Sequence, residues 1–441
     1  MKVINRQESW LLLLGDIVIF VLSLWLSLLI RFGQIPSVSL FEDLLIPFSI
    51  LFVVWSLVFF IAGLYEKHTI TFKSHLPTRI FNTQIFNSFL AVVFFYFVPY
   101  FGVTPKVILF IYIIISLALI LVWRIYGQRV FGLKTKEEAM ILGRGAEMGI
   151  LVQEVNNNPI YGLEFVSSFD LDKLEQIDFQ KDILQKIKSL NISVVVLDLQ
   201  SENLEKNLSN FYNLLFSKIH FVDINNLYED IFDRVPLSLV SYGWFLKNIS
   251  LAPKVVYSFL KRFSDIIFGI MIGFVFIVIF PFVALAIYIE DGKTIFYSHK
   301  RVGKNGKEIK ISKFRSMSTL EKEKITKVGA FIRKTRIDEL PQFWAVLSGD
   351  LSLIGPRPEK PDLVELYNKE IPYYNIRHLI KPGLSGWAQI CQDNPPKFEV
   401  NFEDTKTKLS YDLYYLKNKS AILDLIIILK TIKALILRVG K

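Results

Sequence analysis

Residues 266–289 read IIFGIMIGFVFIVIFPFVALAIYI, 24 positions without a charged side chain. A helix rises about 1.5 Å per residue, so this run is long enough to cross a hydrocarbon layer about 30 Å thick. Its flanks argue against a simple crossing. Lys254, Lys261, Arg262 and Asp265 precede it, and Glu290, Lys293, Lys300 and Arg301 follow. Both sides are basic, and a straight span would carry everything after it out of the cytoplasm, against the positive-inside rule. Pro281 interrupts the run late, where its missing N–H and ring clash kink a helix. The expectation is a re-entrant helix over about 264–290 that enters the inner leaflet, bends at Pro281 and returns to the same side. An ordinary span is the competing reading, because proline is tolerated in membrane helices.

Upstream, residues 10–30, 44–65, 85–101 and 107–123 form four more apolar stretches, each long enough to span. The first lacks a small-residue cleavage site, so it reads as a retained helix rather than a removed signal peptide. Residues 1–130 are therefore expected to be a four-helix transmembrane bundle. Lys2, Arg6, Lys67, Lys73, Arg79, Arg124, Arg129, Lys134 and Lys136 flank one side, against Glu42 and Asp43 on the other. That asymmetry puts the N-terminus and everything after residue 130 in the cytoplasm. Asp16 is the one ionisable residue deep in a span; facing a neighbouring helix accounts for it more simply than a functional role.

The 441 residues suggest about three structural units. Half are hydrophobic (52%) and only 21% are charged, which sets aside both disorder and a plain cytosolic enzyme. Cys391 is the single cysteine and there are five histidines, so intrachain disulfides and cysteine-based zinc clusters are excluded. Any metal would be a hard ion held by carboxylates. A net charge of +10 suits anionic lipid surfaces, phosphate substrates or nucleic acid, and charge alone does not choose among them.

Residues 134–250 change character. Ala139-Met140-Ile141-Leu142 reads as a buried strand running into Gly143-Arg144-Gly145 and a helix through Val155. Extended runs at 163–167, 192–197 and 220–224 alternate with helical patterns at 183–189 and 208–216, which predicts a small parallel, Rossmann-like α/β sheet. The glycines are spaced G-x-G-x-x-x-G, a departure from the dinucleotide fingerprint, so the module reads as structural or regulatory. Tyr257 and Lys261 have the Tyr-x-x-x-Lys spacing of an NAD-dependent nucleotide-sugar epimerase or dehydratase. That pair is the basis of a rival reading, weakened by its place beside a hydrophobic segment.

The chemistry concentrates further on. Between Lys300 and Arg336 there are 13 Lys and Arg against Glu308, Glu321 and Glu323, an excess suited to holding phosphates at a membrane surface. No nucleic-acid motif accompanies it, so nucleic acid is not expected as a partner. Then come Asp338-Glu339-Leu340-Pro341-Gln342 and Leu353-Ile354-Gly355-Pro356-Arg357-Pro358-Glu359. Adjacent carboxylates can hold Mg²⁺ and supply a nucleophile. Pro356 and Pro358 fix the backbone on either side of Arg357 and so present its guanidinium rigidly to a phosphate. Residues 420–439 are almost wholly apolar, with Lys430 and Lys433 on one face. They are expected to form an amphipathic helix in the interface, with a buried core helix as the competing reading.

Five stretches together resemble the bacterial sugar transferases, also called polyprenyl-phosphate hexose-1-phosphate or large monotopic phosphoglycosyl transferases. They are Lys261-Arg262-Phe263-Ser264-Asp265, Lys313-Phe314-Arg315-Ser316-Met317, the Asp338–Gln342 run, Gly349-Asp350 with Leu353 to Glu359, and Lys381-Pro382-Gly383-Leu384-Ser385-Gly386-Trp387-Ala388-Gln389. The likeness covers residues 255–441 in order, and Ser264 departs from many members. It implies a mostly α monotopic catalytic domain over 255–441, in a protein of the bacterial inner membrane. It implies a UDP-sugar donor, undecaprenyl phosphate as acceptor, inner-membrane lipids as surroundings and Mg²⁺ as cofactor, in the first membrane step of capsule, exopolysaccharide or O-antigen synthesis. Asp338 would be the nucleophile and Glu339 its partner on the metal. Arg357, Lys313 and Arg315, with Lys261 and Arg262, would meet phosphate. A bundle with an attached α/β module also suits a symmetric homodimer.

Overall fold

A computed structural model describes residues 7–65, 76–98, 106–124, 136–158, 161–171, 179–199, 201, 219–249, 255–292, 294–318, 324–392 and 401–437. The expected helix at 208–216 and the flanking charges Lys2, Arg6, Lys67, Lys73, Arg129 and Lys134 lie outside these residues. The chain is mostly helical and divides into two compact units. One comprises Met1–Gly143, Met148–Leu197 and Asn207–Val222; the other comprises Arg144–Glu147, Asp198–Lys206 and Asp223–Lys441.

The first unit opens with the helices Gln7–Phe32, Val38–Ile61, Leu76–Phe97 and Lys106–Val122. The first three have spans apolar and long enough to cross a membrane, as does the helix Val255–Asp291 of the second unit, and Val107–Val122 is shorter. Their interior is aromatic: Phe20, Phe48, Phe52, Trp55, Phe59 and Tyr112 are buried and their rings stack or meet edge-on. Polar side chains also lie inside. Gln84 donates to Ser116 at 2.7 Å, and the Trp55 indole donates to the carbonyl of Asn87 at 3.0 Å. Val18, Ile46, Val53 and Phe110 point outward instead. Apolar outside with polar groups inside fits what lipid imposes, because hydrocarbon offers a polar group no partner; the buried hydroxyls of Ser23 and Tyr112 are exceptions that find none among the described residues. Arg124, read in the sequence as a flanking charge, is buried in an ion pair with Asp16, which also accepts from the Tyr65 hydroxyl at 2.8 Å.

Further on stand the strands β1 (Glu137–Gly143), β2 (Leu163–Asp170), β3 (Val194–Leu197) and β4 (His220–Asp223), in the sheet order β2-β1-β3-β4. β1 pairs in parallel with β2 and β3, with Ala139 opposite Val194 and Leu142 opposite Leu197. Continuous burial of Val194 to Leu197 explains why that β-branched run has no alternation. Gly145, at φ +76°, turns the chain from β1 into the helix Gly145–Asn157.

In the second unit the helix Val255–Asp291 runs through Pro281 without ending there. One side of it is docked. Gly269 and Gly273, four residues apart, admit Leu347 and Phe343: an added Cβ would lie 2.9 Å from the Leu347 side chain and 3.0 Å from the Phe343 ring. Asp265 accepts from Ser352 Oγ at 3.0 Å and Leu353 N at 2.9 Å. Near the far end, Asp291 pairs with Arg315 at 3.1 Å, and Glu290 caps the helix Lys327–Lys334 by accepting from Lys327 N and Val328 N. The opposite side exposes Ile270, Phe274, Ile277, Phe282, Leu285 and Ile289.

The antiparallel hairpin β5 (Phe296–Val302) and β6 (Glu308–Phe314) follows. Strand alternation gives it two different faces. Phe296 and Phe314 stack with Phe276 and Phe280 of the long helix, while Tyr297, His299, Arg301, Ile309, Ile311 and Lys313 share the other face. Short parallel strands β7 (Ser352–Ile354) and β8 (Gly383–Ser385) pair behind it. The core is completed by the helices Phe402–Asn418 and Ala421–Leu437. The last of these buries Ile427 and Asp424 and exposes Ile422, Leu425 and Leu435. Residues 224–249 pack into the same core: Lys417 pairs with Glu229 at 2.9 Å, and the Trp387 indole donates to the Asp233 carbonyl at 2.9 Å.

Candidate active site

The helix Lys327–Lys334 ends at Thr335, and Arg336 takes a left-handed conformation (φ 60°) that reverses the chain into a 3₁₀ turn, Ile337–Gln342. Asp338 and Glu339 stand in its first turn, and Phe343, packed against Gly273, fixes where the turn ends. The turn therefore rests on the long helix through Phe343 and through Ile337 and Leu340, which join the cluster of Phe276, Phe280 and Val283. Strand β6 lies beside the turn and brings Lys313 to it.

The two carboxylates are held differently. Glu339 receives Lys313 Nζ at 2.6 Å and Arg357 Nη2 at 3.3 Å, with Arg336 Nη1 at 3.7 Å. Burial works to raise its pKa, but Arg357, Lys313 and Arg336 outweigh it and hold the carboxyl down at about 2. Asp338 is 7% exposed, its nearest cation is Lys313 Nζ at 3.8 Å, and among the described residues no hydrogen bond engages its carboxylate. Burial first, and the Glu339 charge second, push its pKa upward despite Lys313, Arg336 and Arg333. Glu339 is thus a fixed anion saturated with cations, and Asp338 an under-compensated carboxylate beside it.

An open cleft lies beside Glu339, lined among others by His299, Arg301, Lys313, Gln342 and Arg357; Asp338 borders it without being one of its lining residues. The charge of the cleft is predominantly positive. Burial, then Arg301, Lys313, Lys360 and Arg357, push the His299 imidazole down to about 4, so it is neutral near pH 7.

The structure thus brings Asp338, Glu339, Lys313 and Arg357 together. Arg315, Lys261 and Arg262 are bonded elsewhere. Arg315 binds Asp291 and the carbonyl of Gly292 at 2.6 Å, tying the hairpin to the end of the long helix. Arg262 donates to the carbonyls of Val346 and Leu347 at 2.9 and 2.7 Å, where the helix Phe343–Ser348 ends and a cation is favoured. Lys261 pairs with Asp424 at 2.9 Å, and Tyr257 donates to the same carboxylate at 3.1 Å. The Tyr-x-x-x-Lys pair is therefore committed to Asp424 inside the C-terminal core. Pro281 lies inside the long helix, one residue past Phe280 and its stack with Phe296. His299, Arg301 and Gln342 join the site without having been singled out in sequence; the period-two spacing of Tyr297, His299 and Arg301 is the signal that places the first two on one strand face.

A carboxylate pair is the donor set a hard divalent ion takes; Asp338 has capacity left for one, while Glu339 would share its oxygens with Lys313 and Arg357. Mg²⁺ is usually bound by one or two carboxylates and completes its shell with substrate phosphates and water. Among the described residues, no group of three or more His, Cys, Asp or Glu gathers as an all-protein cage.

The family described as bacterial sugar transferase matches residues 256–438. Among similar proteins, the UDP-N-acetylgalactosamine-undecaprenyl-phosphate N-acetylgalactosaminephosphotransferase of Aeromonas hydrophila is 34% identical over 264 residues, covering 57% of this chain and 61% of that protein. The UDP-glucose:undecaprenyl-phosphate glucose-1-phosphate transferase of Escherichia coli K12 is 36% identical over 185 residues, 39% of each chain. An uncharacterized sugar transferase of Bacillus subtilis 168, EpsL, is 36% identical over 190 residues, 41% of this chain and 89% of that one. The chain thus spans less than two thirds of the length of the first two relatives and most of the third.

Proposed function

The chain belongs to the bacterial sugar transferase family, and from that premise we propose that its C-terminal part moves a sugar-1-phosphate from a UDP-sugar to undecaprenyl phosphate, releasing UMP. The observation that carries the mechanism is the unequal treatment of the dyad. Glu339 is immobilised by Lys313 and Arg357, whereas Asp338 is buried, under-compensated and free of hydrogen bonds among the described residues. A carboxylate in that condition gains by forming an ester with phosphorus, since esterification removes the charge that burial penalises.

In the first step a carboxylate oxygen of Asp338 attacks the sugar-bearing phosphorus, the bond from that phosphorus to the UMP oxygen breaks, and UMP leaves as an anion. In the second step a phosphate oxygen of the lipid attacks the same phosphorus. The aspartyl–phosphorus bond breaks, giving polyprenyl diphosphate-sugar and free Asp338. Lys313 and Arg357 offset the charge that builds on the phosphoryl oxygens in both steps. Asp338 and Glu339 would hold Mg²⁺, which when bound supplies further positive charge against the repulsion between carboxylate and diphosphate. A donor and an acceptor of opposite solubility can then use one cleft in turn.

The long helix supports a re-entrant placement in the inner membrane. Lys261 near one end and Asp291 at the other are both bonded to the same compact unit, on the side away from the exposed apolar face. A straight crossing would separate those ends by the bilayer thickness while one water-soluble unit held both. The reading therefore includes a catalytic section on the cytoplasmic face, serving capsule, exopolysaccharide or O-antigen assembly, with the Rossmann-like module upstream as a structural or regulatory element. The test is UMP release by the detergent-solubilised chain given undecaprenyl phosphate, Mg²⁺ and a panel of UDP-sugars, beside Asp338→Asn. Release from one sugar, reduced about 1000-fold or more in the variant, is expected; full turnover by a folded Asp338→Asn protein would refute the nucleophile.

A further inference from the structure

Arg357 lies between two prolines, and that has a cost for the backbone around it. Pro356 and Pro358 lack N–H groups, so this segment cannot be held as a regular ladder strand, yet its carbonyls must still be satisfied. Each is. The Pro356 carbonyl accepts from Gly383 N at 3.0 Å, that of Arg357 from Arg377 Nη2 at 2.9 Å, that of Pro358 from Arg301 Nη1 at 3.4 Å, and that of Glu359 from Val302 N at 2.9 Å.

Two of these donors are side chains, and both are anchored by buried charge. Arg377 is 2% exposed; it donates to Tyr374 Oη at 2.7 Å and pairs with Asp412 at 2.8 Å, both charged groups being only 1% exposed at the side chain. Arg301 lies 3.9 Å from Glu359, whose other carboxylate oxygen is bonded to the buried Lys408. Lys408 and Asp412 are four residues apart on the helix Phe402–Asn418, hence on one face of it. Glu359 is held between two cations, Lys408 and Arg301, and Asp412 pairs with Arg377.

A buried ion pair is a poor device for stability, because the desolvation of both charges offsets their attraction; apolar packing does as well or better. What the pair provides is a directed donor at a fixed point. We infer that Asp412 and Arg377, with Lys408 and Glu359, are positioning residues that hold the Arg357 backbone so that its guanidinium meets Glu339 and the substrate phosphate in the cleft. The helix Phe402–Asn418 thereby contributes to transfer without touching the substrate. The inference rests on the proposed transfer reaction and extends it to residues outside the cleft.

The test is a double-mutant cycle read as kcat/KM for UMP release by the full chain in detergent, with Asp412→Asn, Arg357→Ala and the pair. Thermal unfolding is followed in parallel. Asp412→Asn is expected to lose about 10-fold to 100-fold, the scale of a misplacement near 1 Å, and to lose nothing further in the Arg357→Ala background, because it acts through Arg357. A purely structural role would give the same loss in both backgrounds, and that result would overturn the inference, as would full activity of Asp412→Asn. If Asp412→Asn fails to fold, the same cycle with Glu359→Gln decides by the same criterion. Absence of UMP release from the wild-type chain with every UDP-sugar would overturn the transfer reading itself, and the positioning role with it.

Discussion

Lys313 Nζ lies 2.6 Å from Glu339 Oε1 but 3.8 Å from the nearer oxygen of Asp338, so this lysine reaches both carboxylates and neutralises them unequally. Removing it would leave Glu339 to Arg357 and Arg336 and Asp338 without its nearest cation. Lys313→Met is therefore expected to slow UMP release by about 100-fold to 1000-fold, the range for losing one preorganised charge at a reacting group. Lys313→Arg should recover part of that loss. Equal rates for Lys313→Met and wild type would separate Lys313 from the chemistry.

Gly273 has no room for a side chain. Its added Cβ would come 3.0 Å from two atoms of the Phe343 ring, and Phe343 directly follows the 3₁₀ turn that carries the dyad. Gly273→Leu must push that ring away, at about 1–3 kcal/mol for overpacking. The expected result is a lower Tm in detergent together with a fall in transfer rate. The control is Gly149→Leu on the helix Gly145–Asn157, where an added Cβ meets nothing within 4 Å; its rate should be unchanged. A normal rate and Tm for Gly273→Leu would mean that the contact between Gly273 and Phe343 does not set the position of the turn.

These residues show what could be seen in the sequence and what could not. Asp338, Glu339 and Arg357 were legible because each is marked by its neighbours, a carboxylate by a second carboxylate and an arginine by two prolines. Lys313, on β6, and Arg315, just past its end, are two residues apart and look alike in sequence. One faces the dyad while the other binds Asp291, a difference set by partners remote in the chain. Lys261 and Arg262 likewise find Asp424 and the carbonyls of Val346 and Leu347, which no local pattern points to. The spacing of Gly269 and Gly273 is plain in the sequence, but which helix approaches there is a tertiary fact. The apolar helices needed only length and composition, because lipid imposes both.

Through two buried imidazoles, acid should destabilise the folded protein. His299 and His378 are held at about 4, below their ordinary 6.5, by burial first and then by cations: Arg301, Lys313, Lys360 and Arg357 around His299, and Arg377 beside His378. The unfolded chain therefore binds more protons than the folded one between pH 6.5 and 4. Their contribution to stability is level above that window and falls as pH drops through it. Glu339, depressed to about 2 from 4.5, adds its own loss only below pH 4.5. Thermal unfolding in detergent should show a Tm that is lower at pH 5 than at pH 7.5, with a shallower fall in His378→Gln. A Tm constant across that range would contradict the burial assigned to both imidazoles.

In the helical bundle, Asp16 and Arg124 form a buried pair in which Arg124 Nε donates to Asp16 at 3.2 Å, Arg124 Nη1 donates to the Leu64 carbonyl at 2.8 Å, and Tyr65 adds its hydroxyl to the carboxylate. Each charge is tolerated there only because the other is present. Asp16→Ala leaves a guanidinium among apolar helices and should cost about 3–5 kcal/mol. Removing both charges together, as Asp16→Leu with Arg124→Met, removes the desolvation cost along with the attraction, so the double variant should be markedly more stable than Asp16→Ala. The comparison is made by Tm in detergent for wild type, both single variants and the double variant. If the double variant is as unstable as the sum of the singles, the two residues act independently and the pairing is not what holds the first helix to the end of the fourth. If it recovers toward wild type, the pair is a device of fit between helices, and the ionisable residue deep in the first span needs no functional role beyond it.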